Sequence, residues 1–425
     1  MTEIINIIAA CFFYYYLFSC KIFFLNFNQK SNIFYKINTN LIIFFNILLF
    51  FSFVSNGILL IPIFIGVFFL FNFSKNTFNL SKVEFQLFLF LLVVFSINIA
   101  FKPVLGWDGA EIWYIKTFQL YQNKTFFILS DFTRPDYPHL GSYIWAFFWK
   151  FNFLKFEYFG RLFYVFIYLS SIFLLLDNQK RFNIKQFSFL ILIILFTYKN
   201  ELFLGYQEYL IFSLLNVFMI FYKNEKNNFY FILYSFLIIN SLLWIKNEGL
   251  IFSFSIVLMI IIFKGYKLNA NILIFISYLV LLFIRISIFQ NEKIFAFQGG
   301  FFTYKNILNE MINFNTIIND MYLIAKYLMI GFIDNIIWCV FVLIFIVNSF
   351  KKKFIKNNME VVFLVAFSLM QVFFIYHVVN FEILEWHLST SMDRILFQIS
   401  GFIILYVFNE LNELINYKIV KIYFR

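Results

Sequence analysis

The sequence predicts an all-α polytopic membrane protein, and three observations carry that prediction. The 425-residue chain is 63% hydrophobic, with 72 Phe and only 13% charged residues. A water-soluble fold needs a polar exterior that this composition cannot supply. Runs such as LIIFFNILLFFSFVS and FLVAFSLMQVFFIYHVV approach the ~20 residues that carry a helix across a bilayer. Lys and Arg also gather in alternate short loops, the bias that orients a membrane chain.

The elements follow in order. A first span at about 4–25 comes after MTEIIN, which has no basic start, and reads as a retained span rather than a removed signal. The stretch 40–73 is longer than one crossing needs, so it reads as a hairpin, 40–54 and 57–73, turning at Asn56-Gly57. Further spans are expected near 84–101, 157–176, 187–199, 202–222, 228–244, 249–263, 271–289, 322–347, 360–380 and 396–410. This is about 11–13 transmembrane helices in one domain, 1–425, with no visible internal repeat.

Loops holding Lys180, Arg181 and Lys185, then Lys223 and Lys226, Lys264 and Lys267, Lys351 to Lys353, and Lys418, Lys421 and Arg425 fall on one side. That side is expected to be the cytoplasm, with the C-terminus there. The net charge of +11 suits loops facing anionic lipid and does not call for nucleic acid. Cys11, Cys20 and Cys339 lie in or beside apolar spans, in neither a disulfide nor a metal-binding pattern.

The long loop 102–156, the loop 290–321 and the turn 381–395 are then outside. The abundance of Phe, Ile, Asn, Lys and Tyr reads as base-composition drift, so rarer residues carry more information. His139, His377 and His387 fall at or near the outer face, as do Arg134, Arg161, Arg285 and Arg394. Arg on the side that normally lacks it suggests an anion to hold, and phosphate is the usual one. Several Trp sit there too, where interfacial anchoring is the ordinary role.

Chemistry-bearing stretches lie along this face. GWDGAEIWYIK (106–116) opens a helical segment, 108–122, whose apolar stripe of Ile112, Trp113, Ile115 and Phe118 is expected to lie in the interface plane. Asp108 at its start reads as an N-cap, a base or a metal ligand. RPDYPHLG (134–141) makes a sharp turn before another helix. GYQEYLIF places Glu208 near the outer end of a span, where an acid is expensive and marks a functional site by default. WIKNEGL is a polar outer turn with Lys246, Asn247 and Glu248. In EWHLSTSMDRILFQ, His387, Ser391 and Arg394 share one helical face, a suitable phosphate clamp.

Together WDGAEIWYIK, DYPHL, GRL, WIKNEGL and EWHLSTSMDR, with GYQEY as a weaker sixth, resemble the GT-C superfamily of integral membrane glycosyltransferases. The likeness is to its mannosyltransferase and aminoarabinose-transferase-like members, and the motifs span 106–398 in the expected order. The resemblance implies a polyprenyl-phosphate-linked sugar donor and a glycan, lipid or protein acceptor. It implies Asp108 as catalytic base or metal-associated carboxylate, and Glu208 as a second acid where many relatives have Asp. Tyr137, His139, Arg161, Lys246, Glu248, His387 and Arg394 are the substrate-binding candidates. The family's YPPL-like segment reads YPHL here, with His139 in place of a Pro.

The chemistry also stands on the residues alone. Cations such as Arg394, Lys246, His387 and Arg161 can neutralise a departing lipid phosphate. A carboxylate such as Asp108 can take the acceptor's proton, which predicts a single inverting displacement. A divalent metal is open, since Asp108, Glu111, Glu208 and His139 are all able to bind one, but no spacing demands it. The rivals are a polysaccharide ligase or polymerase and a transporter or flippase for a lipid-linked sugar. The last predicts charged or broken helices near the midplane, related by an internal repeat. A bacterial inner membrane with the active site facing the periplasm is expected.

Overall fold

The computed structural model describes residues 2–19, 33–72, 83–126, 137–152, 154–178, 184–199, 203–225, 227–265, 268–291, 314–349, 354–378 and 384–423. Arg134 and most of the expected loop 290–321 lie outside the described residues. Among the described residues all regular structure is helical. Among the described residues seven helices are long and apolar enough to cross a membrane, or nine if each of two bent pairs is one span. The chain is therefore a helical, polytopic membrane protein, and the described residues hold fewer full-length spans than the expected 11–13. The difference lies in short apolar helices such as Gly57–Val67, Gln186–Thr197 and Glu248–Phe263. Each reads as a span by composition but falls short of the ~20 residues of a full crossing.

The helices group into two compact units. The first holds α1 (Thr2–Ser19), α2 (Ile33–Ser52), α3 (Gly57–Asn72), α4 (Val83–Phe101), a π-helix (Gly109–Tyr114), α5 (Ile115–Tyr121), α6 (Leu140–Lys150) and α7 (Tyr158–Phe173). It also holds α9 (Glu208–Asn224) and α10 (Asn228–Ile245). The chain turns between α2 and α3 at Asn56, whose φ is 55°.

Every residue of α7 is buried, which makes it the central post of this unit. Its surroundings are aromatic. Phe163 stacks on Phe148 at 3.6 Å, and Tyr14 meets both rings edge-on at 5.2 and 5.1 Å. Side-chain amides add interhelical ties: Asn38 donates to Ser170 O (2.9 Å), Asn40 to Phe18 O (2.7 Å) and Asn216 to Ser171 O (2.9 Å). In lipid, where burial gives helices little drive to associate, such hydrogen bonds hold a bundle together. These Asn residues are thus packing elements rather than compositional noise.

Of the amphipathic helices expected in the first outer loop, α6 lies in the core. Leu140 to Trp149 of α6 are all buried, so α6 is a core helix and not an amphipathic one. At the end of α6, the Lys150 ammonium donates to Tyr121 O (2.5 Å) and Asn123 Oδ1 (2.6 Å), closing the end of α5. Burial, and then the neighbouring charge of Lys155, hold the Lys150 pKa below its usual 10.5.

The second unit holds α8 (Ile184–Thr197), α11 (Glu248–Phe263), α12 (Leu268–Asn291), α13 (Phe314–Asp334), α14 (Ile336–Ser349), α15 (Phe354–Val378), α16 (Leu384–Ser400) and α17 (Ile404–Tyr423). Helices α13 and α14 meet at 95°, and α16 and α17 at 57°. The two bent pairs run in parallel with a constant register. Tyr327 OH donates to Glu385 (3.1 Å), the Asn335 amide to Asp393, Trp338 Nε1 to Leu396 O (2.9 Å) and the Asn348 amide to Tyr406 OH (3.3 Å), each 58 residues along the chain.

Each break has a local cause. At the first, the Asn335 backbone N–H and side chain both donate to Gly331 O (3.1 and 2.8 Å), and Cys339 Sγ donates to Phe332 O (3.2 Å). At the second, the N–H groups of Gly401, Phe402 and Ile403 each bond three residues back, the tightening of a 3₁₀ turn. Freed carbonyls are thereby satisfied inside protein, as the membrane interior requires.

Candidate functional site

One end of the first unit gathers most of the residues singled out by the sequence. It is framed by Arg161, one turn into α7. The side chain is fully buried, and all five of its N–H donors are used. Nε and Nη2 bond the two oxygens of Glu157 at 2.8 and 2.9 Å. Nη1 bonds Phe203 O (2.9 Å) and Val104 O (3.3 Å), and Nη2 also bonds Pro103 O (3.3 Å). The predicted anion ligand thus acts as a clamp. It fixes the segment entering Asp108 and the segment entering Glu208 to the same helix.

Between those two segments the backbones touch. Gly106 N donates to Leu204 O at 2.8 Å. A Cβ on Gly109 would stand 2.3 Å from Leu204 O, so only glycine allows this approach. Gly205 adopts φ +96°, with Gly109 Cα, Leu105 and Trp145 all 3.1 Å from where its Cβ would be. GWDG and LGYQE, separated by about a hundred residues, form one clasp.

Gln207 and Glu208 extend from the clasp into the core, both fully buried. In the amide orientation that satisfies its surroundings, Gln207 donates to Ile245 O (3.0 Å) and accepts from Ser142 N (3.2 Å). It lies over Gly141, where a Cβ would collide with it, and ties the start of α6 to the end of α10. Glu208 pairs with Lys246 at 3.0 Å, with side chains 1% and 7% exposed. A buried ion pair between the start of α9 and the end of α10 is costly unless both charges are well bonded.

Asp108 stands half-buried at the start of the π-helix and makes no side-chain capping bond to it. The capping reading therefore does not hold. Trp107 beside it is 68% exposed. π-Helical turns are rare and often mark functional sites. The extra residue per turn also rotates the chain that follows. The buried stripe is Ile112, Trp113, Lys116, Thr117 and Leu120, while Ile115 is half-buried and Phe118 exposed. Lys116, which sequence reasoning passed over inside its own motif, donates to Tyr137 O (2.6 Å) and lies 5.9 and 5.8 Å from the rings of Trp113 and Tyr137.

His139 is fully buried at the start of α6, among the rings of Phe126 (4.4 Å), Phe53 (5.4 Å) and Trp244 (5.6 Å). Its Nε2 is 2.6 Å from Ser52 Oγ, whose own hydrogen goes to Leu49 O (2.6 Å). Nε2 is therefore the donor. His139 joins α2 to α6, and Tyr137 and His139 both brace the site from its interior side.

The remaining candidates belong to the second unit. Glu248 is half-buried at the first residue of α11. His387 and Arg394 are half-buried on α16, where Arg394 Nε bonds Thr390 O at 3.2 Å. Asp393, expected beside a cation, accepts from the Asn335 amide. His377 Nδ1 pairs with Asp320 at 2.9 Å. Glu111 is exposed, and among the described residues no group of three or more His, Cys, Asp or Glu is placed to hold a metal ion.

No family model, curated protein or solved structure matches this chain.

Proposed function

We propose that the chain is a membrane glycosyltransferase of the GT-C kind, moving a sugar from a polyprenyl-phosphate donor to an acceptor hydroxyl. The observation that carries this reading is the glycine clasp. It holds the loop of a half-buried acid, Asp108, against the segment bearing the buried Glu208–Lys246 pair. Two acids and a cation from distant parts of the chain converge on one end of a helical unit, which suits chemistry on an anionic lipid.

Asp108 acts as base and takes the acceptor's proton. The acceptor oxygen attacks the anomeric carbon, the bond from that carbon to the phosphate oxygen breaks, and the lipid phosphate leaves with the electron pair. Lys246, held in place by Glu208, neutralises the charge that develops. His387 and Arg394 are anion-binding candidates of the second unit. The displacement inverts the anomeric centre. On this reading the C-terminus is cytoplasmic and the chemistry lies at the periplasmic face of a bacterial inner membrane, an orientation that the basic loops support.

The test compares membranes holding the wild type or Asp108→Asn at matched expression, supplied with radiolabelled polyprenyl-phosphate sugars. Loss of label from the lipid should fall about 10²–10⁴-fold in the variant. Equal turnover in both would remove Asp108 from catalysis, and retained anomeric configuration would exclude the single displacement. A second reading, transport of a lipid-linked sugar, is favoured by the two bent helix pairs, since broken helices line many transport sites. Labelled lipid crossing the bilayer intact would select it. A ligase or polymerase would instead lengthen a lipid-linked glycan.

A further inference from the structure

The polar face of α16 continues deeper than the sequence motif suggested. His387, Ser391, Arg394 and Gln398 follow at i, i+4, i+7 and i+11, within about 60° of one another around a helix of 100° per residue. The neighbours of this face are given by contacts. Ser391 Oγ bonds Tyr376 OH of α15, which sets α15 beside this face.

Exposure falls along the stripe. His387, Ser391 and Arg394 are half-buried, and Gln398 is fully buried. Neither Nε2 nor Oε1 of Gln398 has a hydrogen-bond partner. On α15, Ser368 is also fully buried with its hydroxyl unpaired. The two residues lie ~10 and ~12 Å along their helices from the Tyr376–Ser391 contact, at 1.5 Å per residue. Gln398 also sits at the 57° bend, where its carbonyl accepts from Gly401 N at 3.1 Å.

A buried amide with both ends unbonded is a standing loss of stability that an apolar side chain of similar size would avoid. Each such group in a native protein calls for an explanation, and completion by a bound partner is one that fits a polar face. Gln398 and Ser368 offer neutral donors and acceptors, so a charged group there would meet no counter-charge. Arg394, one turn nearer the surface, supplies the positive charge. We infer that this face is a binding site for a hydroxyl-rich neutral group, a sugar, with Gln398 bonding its hydroxyls and Arg394 holding an attached or neighbouring anion. This inference concerns the second unit alone and does not depend on Asp108 being a base.

The experiment measures thermal unfolding of the detergent-solubilised full chain, wild type and Gln398→Met. The probes are polyprenyl phosphate, hexosyl polyprenyl phosphate and a free oligosaccharide of the same hexose. Without ligand, Gln398→Met should unfold a few degrees above the wild type, because the unbonded amide is gone. In the wild type, hexosyl lipid should raise the unfolding temperature beyond the rise given by polyprenyl phosphate. In Gln398→Met that extra rise should vanish, while the rise from the phosphate alone remains. A response to the free oligosaccharide, lost in the variant, would assign the site to an acceptor glycan rather than to the sugar of the lipid.

Destabilisation by Gln398→Met would make the amide a structural element and overturn the inference. Identical responses of both proteins to every probe would overturn it too, as would a wild type that responds to no sugar. Gln398→Asn, one methylene shorter with the same chemistry, should fold and show a weakened sugar response. An unweakened response there would count as refutation. Turnover assays on Asp108→Asn remain a separate test, so the two readings stand or fall independently.

Discussion

Replacing Arg161 by Met tests whether this residue is a clamp or an anion ligand. The substitution removes five N–H bonds from a fully buried site and leaves Glu157 without its cation. Breaking one side of a buried ion pair costs about 3–5 kcal/mol. The 18% exposure of Glu157 favours the lower end of that range. Three backbone carbonyls also lose a donor. Phe203 O, at 2.9 Å, should cost about 1 kcal/mol, while Pro103 O and Val104 O, both at 3.3 Å, should cost less. The sum is about 4–5 kcal/mol, a large part of the ~5–15 kcal/mol that holds a typical domain folded.

Removing Glu157 as well, in Arg161→Met/Glu157→Met, should recover most of this and leave a deficit of about 1–2 kcal/mol from the carbonyls. Arg161→Lys should fall between, because three donors on a point charge cannot serve a carboxylate and three carbonyls. Equilibrium unfolding in mixed micelles, followed by Trp fluorescence, measures all three. A single variant within ~1 kcal/mol of the wild type, or a double variant no better than the single, would refute the clamp. So would an Arg161→Lys protein of wild-type stability whose only defect is a higher KM for the lipid donor.

Other perturbations bear on the clasp, the buried pair and Lys150. Gly109→Ala puts a methyl 2.3 Å from Leu204 O and should cost about 1–3 kcal/mol along with most of the turnover. Gly66→Ala, with open space around its Cβ, should be neutral or stabilising by up to ~1 kcal/mol. Lys246→Met leaves Glu208 buried without its cation and should destabilise by about 3–5 kcal/mol, with partial recovery on adding Glu208→Gln. Lys150 has a folded-state pKa below its unfolded value, so the folded chain binds fewer protons between the two. Stability should therefore rise with pH through that window, and thermal scans up to pH 10.5 should show the wild type gaining on Lys150→Met.

The fold class was legible because it depends on composition, and composition survives any error in boundaries. The turn at Asn56-Gly57 was legible because the largely apolar 34-residue stretch 40–73 exceeds one crossing and that pair interrupts it, and Asn56 does adopt a left-handed φ of 55°. Span number was less legible, because hydropathy registers an apolar run but not the length of helix that forms. The two units left no mark in the sequence. Their boundary runs through the turn at Asn247 and Glu248 with no linker composition, and α8 belongs to the second unit although the first surrounds it in sequence. Only a contact pattern, not a local signal, can expose such a division.

The site itself was half legible, and the missing half has a common cause. Asp108, Glu208 and Lys246 stood out because charge is rare in apolar surroundings. Arg161 stood out for the same reason, yet its partners are mostly backbone carbonyls, which no residue pattern announces. Gln207 and Lys116 were overlooked because each reads as an ordinary polar residue. What distinguishes Gln207 is that Gly141 lies under it, and what distinguishes Asp108 is that Gly109 and Gly205 let two backbones meet. In a chain with 72 Phe and 13 Gly, glycine is as informative as His or Arg. Gly66 has open space around it, but Gly106, Gly109, Gly141 and Gly205 each mark a close approach, and those four surround the segments that carry the acids.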